Sequence, residues 1–174
     1  MERKYYHIPT LPAGTTVATV DWNVVPAAQI DTYRWLDGGY EPHAEARLAF
    51  LPGYGFALRM SCVERSPRAI YSGYNEPVYT DSCLEFFAAW AEGSPTRDRR
   101  YMNMEMNARG TLLSCLGTDR HARVPVRDIT GGSIPDVRGE ILPDRWSVTA
   151  GIPATLLGKV YESPEVTGEI TKEA

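Results

Sequence analysis

Tyr101-Met102-Asn103-Met104-Glu105-Met106-Asn107-Ala108-Arg109-Gly110 is the stretch whose reading decides the fold. Successive side chains of an extended strand point to opposite faces. Met102, Met104 and Met106 therefore share one face, and Tyr101, Asn103, Glu105 and Asn107 the other. Thioethers fill irregular gaps in a core, which makes the methionine face an inner one. The opposite row of amides and a carboxylate beside a phenol ring differs from the Lys, Thr and mixed charges of a plain solvated exterior. Asn107 to Gly110 then reads as a tight turn into Thr111-Leu112-Leu113.

The preceding apolar segment, Asp81-Ser82-Cys83-Leu84-Glu85-Phe86-Phe87-Ala88-Ala89-Trp90, reads as the partner strand. Leu84, Phe86, Ala88 and Trp90 form its inner face, while Tyr79, Asp81, Cys83 and Glu85 have the opposite parity. A carboxylate flanked by Leu84 and Phe86 is costly unless it has partners. The polar row of the next strand, or an arginine such as Arg59 or Arg68, would supply them. If the two strands pair antiparallel, Tyr79, Glu85, Asn103, Glu105 and Asn107 share one concave surface.

Working outward, other runs alternate with the same period. Ala44, Ala46, Leu48 and Phe50 share a face; after the turn Pro52-Gly53-Tyr54-Gly55, so do Phe56, Leu58, Met60 and Cys62. Trp146, Val148, Ala150 and Ile152 do so near the carboxyl end. Thirteen Pro and fifteen Gly punctuate the chain, and no long stretch has helical periodicity. The only helical candidate is short, from Ala154 to Val160, and the stretch Arg120 to Arg138 reads as loop. The expected fold is all-β, an antiparallel sandwich of immunoglobulin-like or jelly-roll type with at most one short helix. The 174 residues are expected to form a single domain.

Composition narrows the function. With 18 Lys and Arg scattered among 22 Asp and Glu, the net charge of -4 argues against a nucleic-acid partner. No apolar run is long enough for a membrane span. The charged start Met1-Glu2-Arg3-Lys4 is not a signal peptide, so a cytoplasmic location is expected unless a signal was removed. Cys62, Cys83 and Cys115 are widely spaced and read as buried thiols rather than as a disulfide framework or metal pair. His7, His43 and His121 are isolated and read as surface or satisfied polar residues. No cofactor is expected, and structural calcium, with Asp128, Asp136 and Asp144 in loops, is left unassigned.

The polar row suits a sugar. Vicinal hydroxyls pair with carboxylates and amides, and the apolar C–H face of a pyranose packs on a ring such as Tyr79. Tyr71 and Tyr74 join the candidates because they lie in the Gly/Pro loop before Tyr79, where binding residues collect. Trp22, Trp35, Trp90 and Trp146 are in phase with apolar neighbours and read as core. Arg120, Arg123 and Arg127 are either a solvated loop or a cover for Glu105. A shallow site of this kind implies weak affinity, roughly millimolar to micromolar, or about -4 to -8 kcal/mol.

The patterns Tyr79-Thr80-Asp81-Ser82-Cys83-Leu84-Glu85-Phe86-Phe87 and Asn103-x-Glu105-x-Asn107-x-x-Gly110 resemble the family 9 carbohydrate-binding modules and their stand-alone bacterial relatives. The resemblance implies an antiparallel sandwich that binds mono-, di- or oligosaccharides, including xylan- or cellulose-derived ones, without catalysis. It places Tyr79 where the family has an aromatic wall, Glu85 at the strand glutamate, and Asn103 and Glu105 at the polar positions of the next strand. Two features depart from the pattern. No aromatic follows Tyr161, so a final strand or loop with the second wall is expected to be missing, and Asn103 stands where a basic residue is usual.

Three rivals remain. Glu85 and Glu105 could act as a glycosidase pair, though nothing in the sequence marks either as a raised-pKa acid. Met102, Met104 or Met106 with His121 or His43 could ligate haem, although Met at period 2 is more often core. The sandwich could also be a protein-interaction domain with no sugar ligand.

Overall fold

A computed structural model describes residues 5–33, 39–90 and 100–161. Trp35 and the carboxyl-terminal stretch after Tyr161 lie outside the described residues.

Two antiparallel sheets face each other. The first contains β1 (Ala28–Ile30), β2 (Ala44–Leu51), β3 (Gly55–Cys62), β8 (Asp136–Ile141) and β9 (Trp146–Pro153), in the order β1-β2-β3-β9-β8. The second contains β4 (Cys83–Ala88), β5 (Tyr101–Asn107), β6 (Leu112–Asp119) and β7 (Ala122–Pro125), in that order. The sandwich read from the sequence is the fold found.

The alternating runs explain the layers. Phe56, Leu58, Met60 and Cys62 pack with Trp146, Val148, Ala150 and Ile152 from one side of the core. Leu84, Met102, Met104, Met106, Leu112 and Leu116 fill it from the other. All three methionines are fully buried, so the face assigned to the core is the core face. Each such side chain contributes about 1.5–3 kcal/mol by leaving water. Trp90 closes the packing with its ring 4.5 Å from that of Phe56.

The segment Arg120–Arg138, expected as loop, contains β7, the five-residue helix α1 (Val126–Thr130) and the start of β8. These elements gave no periodic signal for physical reasons. β7 is four residues long, and α1 is little more than one turn, ended by Gly131 in the left-handed region (φ 69°). β8 is an edge strand, most of whose residues are exposed, so its apolar alternation is weak. The helix expected near the carboxyl end is α2 (Ala154–Tyr161), which buries Leu156, Leu157 and Val160.

At one seam the sheets meet backbone to backbone. Gly110 has φ +83° and ends the β5–β6 turn, and its nitrogen donates to Asn107 O at 2.8 Å. Gly139 of β8 packs directly on this turn, and a Cβ added to it would collide with Ala108 O, Arg109 C and Gly110 N. All three obstacles are backbone and cannot swing aside. Gly139→Ala is therefore expected to destabilise the protein by about 1–3 kcal/mol. Urea denaturation of the variant against wild type measures this, and an unchanged midpoint would contradict the seam.

Candidate functional site

The site is built on the outer face of the four-stranded sheet. β4 and β5 pair with Cys83 opposite Asn107, Glu85 opposite Glu105 and Phe87 opposite Asn103. β6 continues the face, with Cys115 opposite Asn103 and Gly117 opposite Tyr101. β7 adds Arg123 opposite Gly117. Asn103, Glu105 and Asn107 point away from the core yet are themselves buried. Something other than the core must cover and satisfy them.

Two different structures do so. At one end, Asn107 is an anchor. Its Nδ2 donates to Tyr71 O and Asp81 Oδ2, both at 2.9 Å, while its Oδ1 accepts the N–H groups of Arg109 (3.1 Å) and Thr111 (3.0 Å). One amide thus ties the loop before β4 to the β5–β6 turn. Asp81 Oδ2 also accepts the N–H groups of Ile70 and Tyr71, and Arg68 Nε stands 3.3 Å from its Oδ1. Burial alone would raise the Asp81 pKa, but the Asn107 amide, these backbone donors and Arg68 outweigh it and hold the carboxyl below its usual value.

Tyr74 belongs to this anchoring system as well. Its hydroxyl donates to Ser114 O at 3.0 Å and accepts the Arg127 N–H at 3.3 Å, and the Arg127 guanidinium lies 4.2 Å from the ring centre. Tyr71 contributes its carbonyl, which also accepts the Thr111 hydroxyl. Tyr79 sits in a single 3₁₀ turn, Val78–Thr80, with Val78 buried and Tyr79 58% exposed.

Further along the face lies a charged and aromatic cluster. Asn103 Oδ1 accepts the Cys115 N–H at 3.0 Å, and its Nδ2 donates to Glu105 Oε1 at 2.9 Å. Arg123 Nη1 approaches the same Glu105 oxygen at 3.5 Å. The Arg123 guanidinium also lies 5.7 Å from the Phe87 ring centre and 5.4 Å from that of Tyr101, within cation–π range. Its Nε is buried without a hydrogen-bond partner among the described residues. Of the partners expected for Glu85, the polar row of the next strand is found beside it and the arginine is a different one. Glu105 faces it and Arg123 is the nearby cation, whereas Arg59 pairs with Glu140 on the other sheet and Arg68 with Asp81.

Arg123 reaches Glu105 from β7 across the intervening β6, and Gly117 is what lets it through. A Cβ at Gly117 would lie 3.0 Å from Arg123 Cγ. A glycine inside a strand often marks such a close approach, and that signal was present in the sequence. The cation missing from the Asn103 position is thus brought in from two strands away.

Glu85 stands directly across from Glu105. Partial desolvation first, then Glu105, raise the Glu85 pKa, while Arg123 opposes them. The thiol of Cys83 is pushed up to about 12 by burial and by Glu85, and that of core-facing Cys62 to about 11. Neither has the thiolate character of a nucleophile. Cys62 is buried, while Cys83 and Cys115 are half-buried on the outer face rather than in the core; all three are free. His7, His43 and His121 are exposed, and among the described residues no three metal-ligating side chains converge.

Residues 15–133 match the model of carbohydrate-binding family 9. The chain belongs to this family. The matched region runs from before β1 through α1 and so contains Tyr79, Glu85, Phe87, Asn103, Glu105 and Arg123. The fold is also shared with the crystal structure of a Bacteroides uniformis protein proposed to bind carbohydrate. The two are 24% identical with a TM-score of 0.67, over 89% of this chain and 73% of that one. No curated protein matches the chain. Family 9 membership supports sugar binding without catalysis as the general role.

Two substitutions test the anchor of this family 9 domain. Asn107→Ala leaves buried groups unpaired and is expected to cost about 1–3 kcal/mol in chemical denaturation. Because the Asp81 pKa is lowered, its stabilisation is complete above the unfolded-state value and disappears as pH falls through the folded-state value. Melting curves of wild type and Asp81→Asn should differ at neutral pH and converge in acid; parallel curves would exclude the carboxylate from this role.

Proposed function

We propose that the protein binds a mono-, di- or oligosaccharide, of the kind released from xylan or cellulose, on the outer face of the four-stranded sheet. The observation that carries this reading is the row Glu85, Glu105 and Arg123 beside the rings of Phe87 and Tyr101, which lie 5.9 Å apart and both contact the Arg123 guanidinium. A sheet exterior gains nothing in folding from buried charge with unused hydrogen-bonding capacity. A ligand rich in hydroxyls would use it: carboxylates accept its O–H groups, and the guanidinium donates to its oxygens. Asn103 fixes the rotamer of Glu105, and Tyr79, exposed on the turn before β4, offers a ring for the apolar sugar face. Asn107, Tyr71 and Tyr74 support the site by holding the loop that carries Tyr79.

The test is calorimetric titration with xylo- and cello-oligosaccharides. Tyr79→Ala, Glu85→Ala and Arg123→Gln should each weaken binding by about tenfold or more, equivalent to about 1.4 kcal/mol. Wild type that binds no sugar at high millimolar concentration would refute the proposal and favour a protein-interaction role. The pH dependence has a definite sign. If ionised Glu85 accepts sugar hydroxyls, affinity is full above its raised pKa and falls as pH drops through it. That loss should begin at a higher pH than for an ordinary glutamate and be absent from Glu85→Gln.

A glycosidase reading gains one point, since the raised pKa of Glu85 is what a general acid needs. Against it, Glu85 and Glu105 rise side by side from neighbouring strands of one surface, whereas glycosidic carboxylates flank the scissile bond. Incubation with aryl glycosides and xylan should give no sustained turnover. Turnover abolished by Glu85→Gln would reverse this conclusion.

A further inference from the structure

The outer face of the four-stranded sheet carries aromatic rings at two separate places along its strands. At the Asn107 end, the turn Val78–Thr80 packs against β5 as well as β4, with Val78 wholly buried. Asp81, directly after the turn, accepts the Asn107 amide at 2.9 Å and so holds the turn on the outer side at that end. Tyr79 stands out from it, more than half exposed. Towards the other end, Phe87 is opposite Asn103, and its ring centre lies 5.9 Å from that of Tyr101. Phe87 remains 46% exposed even with Tyr101 and the Arg123 guanidinium beside it.

The strand register measures the interval between the two places. Cys83 is opposite Asn107 and Phe87 opposite Asn103, so the ends are four residues apart along both paired strands. At about 3.3 Å per residue this is roughly 13 Å. The Phe87 ring packs with Tyr101, two residues further from the Asn107 end than its own partner Asn103. It is thereby held away from Tyr79, and among the described residues no ring contact joins Tyr79 to either. One pyranose ring is shorter than this interval and stacks at one end only.

We infer that the face binds a linear chain of sugars, a trisaccharide or longer, laid along β4 and β5 with Tyr79 against one ring and Phe87 against another. This rests on the sugar-binding reading of the same face and adds a second stacking position to it. Glu85 lies between the two positions on the strand that carries Phe87, and its exposed carboxylate accepts hydroxyls from the ring in the middle. Arg123, which backs both Phe87 and Tyr101, donates to oxygens of the ring stacked there. Each stacked ring covers apolar area of its own. Once one ring is seated, the linkage presents the next to the second position at high effective concentration. Affinity therefore climbs with chain length until both positions are filled.

Calorimetric titration with a length series, xylose to xylohexaose and glucose to cellohexaose, reads this directly. In the series that binds, affinity should rise by about tenfold or more from the monosaccharide to the tetrasaccharide and then level off. Phe87→Ala should remove most of that rise, whereas Tyr79→Ala should weaken binding at every length. If Phe87→Ala does not fold, Phe87→Leu keeps the apolar volume, loses the ring and serves the same comparison. Equal affinity for the monosaccharide and the tetrasaccharide overturns the inference and leaves the sugar site standing. A folded Phe87 variant that keeps the full rise overturns it as well. Binding at no length overturns it together with the reading on which it rests.

Discussion

The Asn107 side chain is the contact on which the functional geometry depends. Its four hydrogen bonds join the loop at Tyr71, the carboxylate of Asp81 and the β5–β6 turn, which Asp81 to the Ile70 and Tyr71 N–H groups and the Thr111 hydroxyl to Tyr71 O also link. The amide is fully buried on the outside of a sheet, where a polar group is tolerated only because every bonding direction is used. The loop that presents Tyr79 therefore has a fixed height over the strands. Without the anchor, the turn that carries Tyr79 would lose this tie to the β5–β6 turn.

The two outer faces obey different rules from the core between them. In the core, the methionines and large aliphatics are selected by volume and by exclusion of water, and no orientation of a polar group is at stake. On the outer faces, stability comes from pairing, and pairing leaves remainders. Glu105 is bonded by Asn103 and approached by Arg123, yet Glu85 across the strand has its proton affinity raised.

Much of this could be read along the chain. Period-2 runs of Met, Leu, Val and Phe gave the strands and their inner faces, because burial of one face leaves that imprint directly on sequence. The row Glu85, Asn103 and Glu105 was visible for the same reason, since only the non-core face tolerates such residues. What escaped was set by distance and not by period. Arg123 joins Glu105 across a strand, and its only local trace was Gly117. Asn107 and Tyr74 read as ligand groups, and their internal hydrogen bonds could not be read along the chain, because an anchor and a binding residue have the same composition. The short β7 and exposed β8 carried too little apolar surface to register.

The charges of β8 matter beyond this molecule. One side of the strand pairs with β9, leaving the other as a row of backbone donors and acceptors at the end of the sheet order. Such a row is a template on which a second copy could lay its own β8. In an antiparallel self-pairing centred on Arg138, that arginine would face its twin and Asp136 would face Glu140, so every outward charge would meet its own sign. The turn at Ala108–Gly110, already in backbone contact with Gly139, crowds the same stretch from the inner side. Self-pairing of β8 in that register is thus opposed by its own charges.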